Sequence, residues 1–239
     1  MEDPPGRRLG PRRLLTAARR RLSPEPPRQA TPTSAVAVDV LVVGDSLSVG
    51  EHASDLDRGY TACLTRALRG RPSDPPTVGI EAISGARLRE FVERPLPPAR
   101  RLVVVEIGTN DWLGYVPCGL WRPTPPQQFG ADYARLLDRV TAGGAAPVCL
   151  GIWGPADGGA EADGRAEGGA ELVAYDDAIS DACQRRGGAF VALSPVYETP
   201  GTRGPTGRRT PWGISDATHP NDEGHRMIAD LVVAAYRCL

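Results

Sequence analysis

The chain has 239 residues, 41% of them hydrophobic, which is enough for a substantial core within a single α/β domain. Its 28 basic residues, all Arg, stand against 29 acidic ones, and the formal net charge of −1 provides no electrostatic footprint for nucleic acid. The lack of Lys, together with 28 Gly and 24 Pro, indicates nucleotide-composition bias, so the number of arginines is not itself read as chemistry.

The elements are taken in chain order. Residues 1–36 form a basic, Pro-rich arm containing Arg7, Arg8, Arg12, Arg13, Arg19, Arg20, Arg21 and Arg28, and are expected to be disordered. A secretory signal needs an unbroken apolar stretch, and here the runs are no longer than Leu14-Leu15. The expectation is a cytoplasmic protein without a signal peptide or membrane span. The folded domain is expected over residues 37–239.

The run Val38 to Val43 is rich in β-branched residues and reads as a strand ended by Gly44. Arg58 to Arg69 reads as a helix with Tyr60, Cys63, Leu64, Ala67 and Leu68 on one face. Thr77–Ile83 is a weaker strand. Leu102–Ile107 is a strong one, almost continuously apolar as strands covered on both faces tend to be. Gln127–Thr141 follows as a helix, then strand Ala145–Ile152, helix Glu171–Arg186, strand Ala189–Leu193 and a last helix Asp222–Leu239. Strands alternating with helices predict an α/β fold with a parallel sheet covered on both faces. The five cysteines form no C-x-x-C pair or metal-ligand spacing with histidine. Of these, Cys149 and Cys183 read as small buried residues, and the odd number fits a reducing compartment.

Chemistry concentrates where strands end. Val43-Gly44-Asp45-Ser46-Leu47-Ser48 places a serine directly after the first strand, at the sheet edge where open α/β folds bind ligands. A serine there is by itself more often a helix cap. It becomes a nucleophile when a base takes its proton and another group orients that base. Asp216-Ala217-Thr218-His219-Pro220 could supply both from one loop, with Asp216 orienting His219. Among the three histidines, His52 reads as a surface residue and His225 as structural. Ile107-Gly108-Thr109-Asn110-Asp111 follows the strongest strand, so the Asn110 amide would emerge on the same edge as Ser46 and could donate to an oxyanion. Gly85, after the second strand, offers a backbone N–H. Taken singly, glycine and asparagine are ordinary turn residues.

The ordered set Gly44-Asp45-Ser46-Leu47, Gly85, Gly108-Thr109-Asn110-Asp111 and Asp216-Ala217-Thr218-His219-Pro220 resembles the SGNH, or GDSL-type, hydrolases from about Val38 to the C-terminus. The resemblance implies a three-layer flavodoxin-like sandwich with a five-stranded parallel sheet. It implies an esterase with Ser46 as nucleophile, His219 as base and Asp216 as its orienter. The oxyanion hole would comprise the backbone N–H groups of Ser46 and Gly85 and the Asn110 side chain. No cofactor or metal is implied, and the partner would be a small-molecule ester. Loops rich in Gly and Pro favour short acyl or O-acetyl groups, with Trp112 to Trp121 and Trp153 read equally as pocket walls or as packing. Two alternatives stand beside hydrolysis: an acyltransferase using the same acyl-enzyme, and an inactive binding scaffold. The sequence does not specify the oligomeric state.

Overall fold

A computed structural model describes residues 36–69, 75–114, 122–154, 168–204, 209–210, 213–214 and 218–239. The basic arm, most of the candidate aromatic wall and Asp216 lie outside the described residues.

The chain begins with strand β1 (Val38–Gly44), followed by the one-turn helix α1 (Ser46–Val49). Helix α2 (Tyr60–Leu68), strand β2 (Val78–Ala82) and the short α3 (Arg89–Val92) come next. Strand β3 (Ala99–Glu106) leads into α4 (Thr109–Leu113) and the long α5 (Pro126–Val140). Then come β4 (Ala146–Leu150), α6 (Gly168–Gln184), β5 (Ala189–Val191) and α7 (Ser194–Tyr197). A two-residue hairpin pairs β6 (Arg209–Thr210) with β7 (Gly213–Ile214), and α8 (Asp222–Arg237) completes the fold.

The five main strands form one all-parallel sheet in the order β2-β1-β3-β4-β5. Alternating side chains along each strand feed two separate cores. Leu41, Val43, Val103, Val105 and Cys149 pack with α5 and α6 through Phe129, Tyr133, Leu136 and Ile179. Val40, Val42, Leu102, Val104 and Val148 pack on the other face with α2, α7 and α8 through Tyr60, Leu64, Val196, Ile228 and Val232. This is the three-layer α/β sandwich expected from the sequence. Cys149 and Cys183 are both buried.

Element ends differ from the sequence reading by at most three residues, the largest shifts including β3, which begins at Ala99 rather than Leu102. Arg100 and Arg101 are exposed there, so apolar character alone does not mark the start of the strand. In α2, Tyr60 and Leu64 are buried as expected, whereas Ala67 is exposed. Among the described residues no helix is long and apolar enough to cross a membrane.

The strand order matters for function. The chain leaves β1 for β2 on one side and later returns to place β3 on the other. Crossovers from β1 and β3 therefore leave a crevice at their carboxyl ends, the usual ligand position in such sheets. Ser46 follows β1 and Asn110 follows β3, so both flank that crevice.

Candidate active site

Gly44 ends β1 where backbone and side chains crowd together. A Cβ at this position would lie 2.0 Å from Ser48 Oγ and 2.5 Å from the Glu106 carbonyl oxygen. Asp45 then caps α1: its Oδ1 accepts from the Leu47 N–H at 3.2 Å. Ser46 is the first residue of the helix, so its N–H has no carbonyl partner within the helix. Its side chain faces the far end of the chain, with Ser46 Oγ 3.0 Å from His219 Nε2. The two residues stand 173 positions apart in the chain, and the fold brings them to hydrogen-bonding distance.

Asn110, in α4, ties three loops together. Its Nδ2 donates to Asp45 Oδ2 at 3.1 Å, beside the Ser46 turn. It also donates to the Ala86 carbonyl at 3.0 Å, beside Gly85. Both amide hydrogens are thus engaged. Gly85 is half-buried and has φ of 70°, a left-handed conformation that turns the chain sharply after β2. Asp216 lies outside the described residues, so its place relative to His219 is left to the proposal below.

Beneath the Ser46 turn lies a buried acidic network. Ser48 Oγ donates to Glu106 Oε2 at 2.8 Å and lies 2.6 Å from the Tyr60 hydroxyl, which supplies the proton for that second bond. Burial pushes both carboxyls up, Asp45 to about 7 and Glu106 well above its ordinary value; the Asp45 charge raises Glu106 further, whereas hydrogen bonds from Leu47 and Glu106 draw Asp45 back down. Both shifts favour the protonated acid, while Asp45 keeps an acceptor oxygen for Asn110. The sequence contains one clue to this network: Glu106 is the lone acid within the apolar run Val103 to Ile107.

The segment carrying His219 is held from several sides. Trp153 Nε1 donates to the Thr218 carbonyl at 2.7 Å, and Arg203 Nη1 donates to the same oxygen at 2.9 Å. The Arg203 guanidinium lies over the Trp153 ring, 4.7 Å from its centroid, and also bonds the Gly154 carbonyl. The Gly204 N–H donates to the His219 carbonyl at 3.2 Å, and the Asn221 side chain caps α8 just beyond. Trp153 is 2% exposed, so of the two readings the sequence leaves open, pocket wall or packing, it takes the second and anchors this loop. Trp112 packs partly buried against the core on the α5 side, and residues 115–121 of the expected wall lie outside the described residues.

Two side chains to which the sequence assigns no catalytic part stand beside His219. His52, expected at the surface, is half-buried and stacks on the His219 ring, with centroids 4.6 Å apart and planes 26° apart. Its φ of 64° makes it the one non-glycine among the described residues in the left-handed region. Glu51 Oε2 lies 3.7 Å from His219 Nε2. Donor atoms of Glu51, His52 and His219 lie within 4.8 Å of one another, a set whose chemistry would suit a transition metal. The stacked rings argue against that use, because two nearly parallel imidazoles cannot both aim their in-plane lone pairs at one ion. His225, in contrast, is fully buried as a structural residue, and burial lowers its pKa to about 4.

A model of the GDSL-like lipase/acylhydrolase family matches residues 42–227, from within β1 into α8. The chain belongs to this family. It is thus an esterase/lipase-type hydrolase of carboxylic esters, and the match spans Ser46, Gly85, Asn110, Asp216 and His219. No curated protein sequence matches it. Solved structures share the fold of this GDSL-family chain at low identity. LAE5, an alpha/beta hydrolase enzyme from the metagenome of Lake Arreo in Spain, is 20% identical over 86% of this chain and 98% of its own, with a TM-score of 0.61. A catalytic mutant of Axe2, an acetylxylan esterase from Geobacillus stearothermophilus, is 18% identical over 87% and 96%, with a TM-score of 0.61. TesA is 23% identical over 83% and 98%, with a TM-score of 0.59.

Proposed function

We propose that this hydrolase cleaves short-chain acyl or O-acetyl esters through an acyl-serine intermediate on Ser46. The observation that carries the reading is the 3.0 Å approach of Ser46 Oγ to His219 Nε2. In this reading His219 accepts the Ser46 proton as Oγ attacks the carbonyl carbon, and the carbonyl oxygen becomes an oxyanion. The Ser46 and Gly85 N–H groups and the Asn110 amide receive that charge, with one Asn110 hydrogen shifting from Asp45 or Ala86 toward it. His219 then hands its proton to the leaving alcohol, and water attacks the acyl-serine with His219 again as base. Asp216, three residues before His219, orients the imidazole and stabilises its charged form.

The preference for small acyl groups rests on the Gly/Pro-rich loops and on the likeness to an acetylxylan esterase. The domain extends over residues 37–239, with residues 1–36 as a separate basic arm. The test is turnover of p-nitrophenyl acetate by the native enzyme and by Ser46→Ala, alongside labelling with a fluorophosphonate probe. Turnover and labelling that vanish together in the variant support the reading. Unchanged turnover in Ser46→Ala overturns it.

A further inference from the structure

Glu51 is held firmly beside the reacting atoms. Its N–H donates to the Ser46 carbonyl at 3.0 Å, and its own carbonyl lies 2.9 Å from His225 Nε2. The carboxylate is pointed inward, 17% exposed, with Oε2 3.7 Å from His219 Nε2. Among the described residues, His219 is the only basic side chain within 4.0 Å of it. Arg58 pairs with Asp222 instead, at 3.3 Å.

In the reaction proposed above, the leaving alcohol must come to His219 Nε2 to receive its proton. Glu51 Oε2 stands 3.7 Å from that same nitrogen, within reach of a substituent on the leaving oxygen. We infer that Glu51 is a specificity-determining residue that selects esters whose alcohol carries a positive charge close to the ester oxygen, as amino alcohols do, and disfavours anionic alcohols. The inference rests on the Ser46–His219 reading. A second role, stabilising protonated His219, follows from the same 3.7 Å separation but acts equally on every substrate. Specificity is therefore read as a ratio between substrates.

The experiment compares acetylcholine with 3,3-dimethylbutyl acetate, its uncharged isostere with the same acyl group. At low ionic strength the native enzyme is expected to favour the cationic ester by about five- to tenfold in kcat/KM, as befits a partly exposed charge pair. In Glu51→Gln the ratio falls to about one, whatever happens to the common rate. On the native enzyme alone, raising the salt from about 10 to about 500 mM compresses the ratio, because exposed charges are screened. That measurement stands if the variant fails to fold. A native ratio near one, a ratio unmoved by Glu51→Gln, or one unmoved by salt overturns the inference. If p-nitrophenyl acetate is turned over in a Ser46-dependent way, such a result removes this inference alone. If none of the three acetates is hydrolysed, the parent reading falls with it.

Discussion

The ring of His225 joins α8 to the loop behind the nucleophile turn: its Nδ1 accepts the Tyr60 N–H at 3.3 Å, and its Nε2 donates to the Glu51 carbonyl at 2.9 Å. Those two bonds require one neutral tautomer, and full burial agrees by lowering the pKa to about 4. The folded-state value is depressed below the ordinary 6.5, so the unfolded chain binds more protons between the two values. The stability His225 contributes is complete above about 6.5 and is lost as pH falls toward 4. Urea midpoints of the native protein and of His225→Gln, measured at pH 7 and pH 5, are expected to converge at the lower pH. At pH 7 the variant should be less stable by about 2–3 kcal/mol, since it leaves buried groups without partners.

The Thr218 carbonyl accepts from both Trp153 and Arg203, one residue before the proposed base. Trp153→Phe keeps an aromatic side chain, though a smaller one, and removes that donor. The expected result is a fall in kcat of about tenfold at nearly constant KM, since small displacements at a base are costly. Arg203→Met should act in the same direction, and the double variant should lose less than the sum because both act on one oxygen. Circular dichroism that remains native would separate positioning from unfolding.

Asp45 presents one oxygen to Leu47 and the other to Asn110. In Asp45→Asn one of those positions becomes an NH₂ group facing a donor. We expect kcat to fall by about 10- to 100-fold, a range set by the loss or misplacement of one oxyanion donor. Fluorophosphonate labelling should slow in parallel, because the same amide would meet the developing charge. Labelling at the native rate would dissociate Asp45 from the site.

Gly44 and Gly144 separate crowding from backbone strain. A methyl group at Gly44 would strike Ser48 Oγ at 2.0 Å and the Glu106 backbone at 2.5 Å, so Gly44→Ala is expected to lose about 3 kcal/mol or more together with activity. Gly144 has φ of 84°, and a Cβ there would meet nothing within 4 Å. Gly144→Ala should cost only the strain of its backbone, about 1 kcal/mol, and leave turnover intact. Thermal unfolding and p-nitrophenyl acetate rates for the pair would test both statements.

Much of the architecture is legible in the sequence because burial leaves a periodic trace. The apolar run Leu102–Ile107 announces a strand covered on both faces, and Phe129, Tyr133, Leu136, Leu137 and Val140 announce the buried side of α5. Serine, glycine and asparagine after successive strands mark one edge of the sheet. His52 escapes such reading because its partner is distant in sequence: nothing around position 52 reveals that the His219 ring stacks on it. Trp153 reads equally as wall or packing because an aromatic beyond a strand looks the same whether its indole N–H faces ligand or, as here, the Thr218 carbonyl.

The sequence by itself determined the five sheet strands and the four long helices, the alternating pattern that demands a parallel sheet, and the residue types able to perform acyl chemistry. These follow from local composition, where side-chain spacing and strand-end turns act over a few residues. The tertiary structure alone decided that β1 and β3 lie side by side, that Ser46 Oγ meets His219 Nε2, and that Glu51 and His52 stand beside that pair. Such distances depend on chain crossovers and on two cores packing at once, and no short-range pattern encodes them.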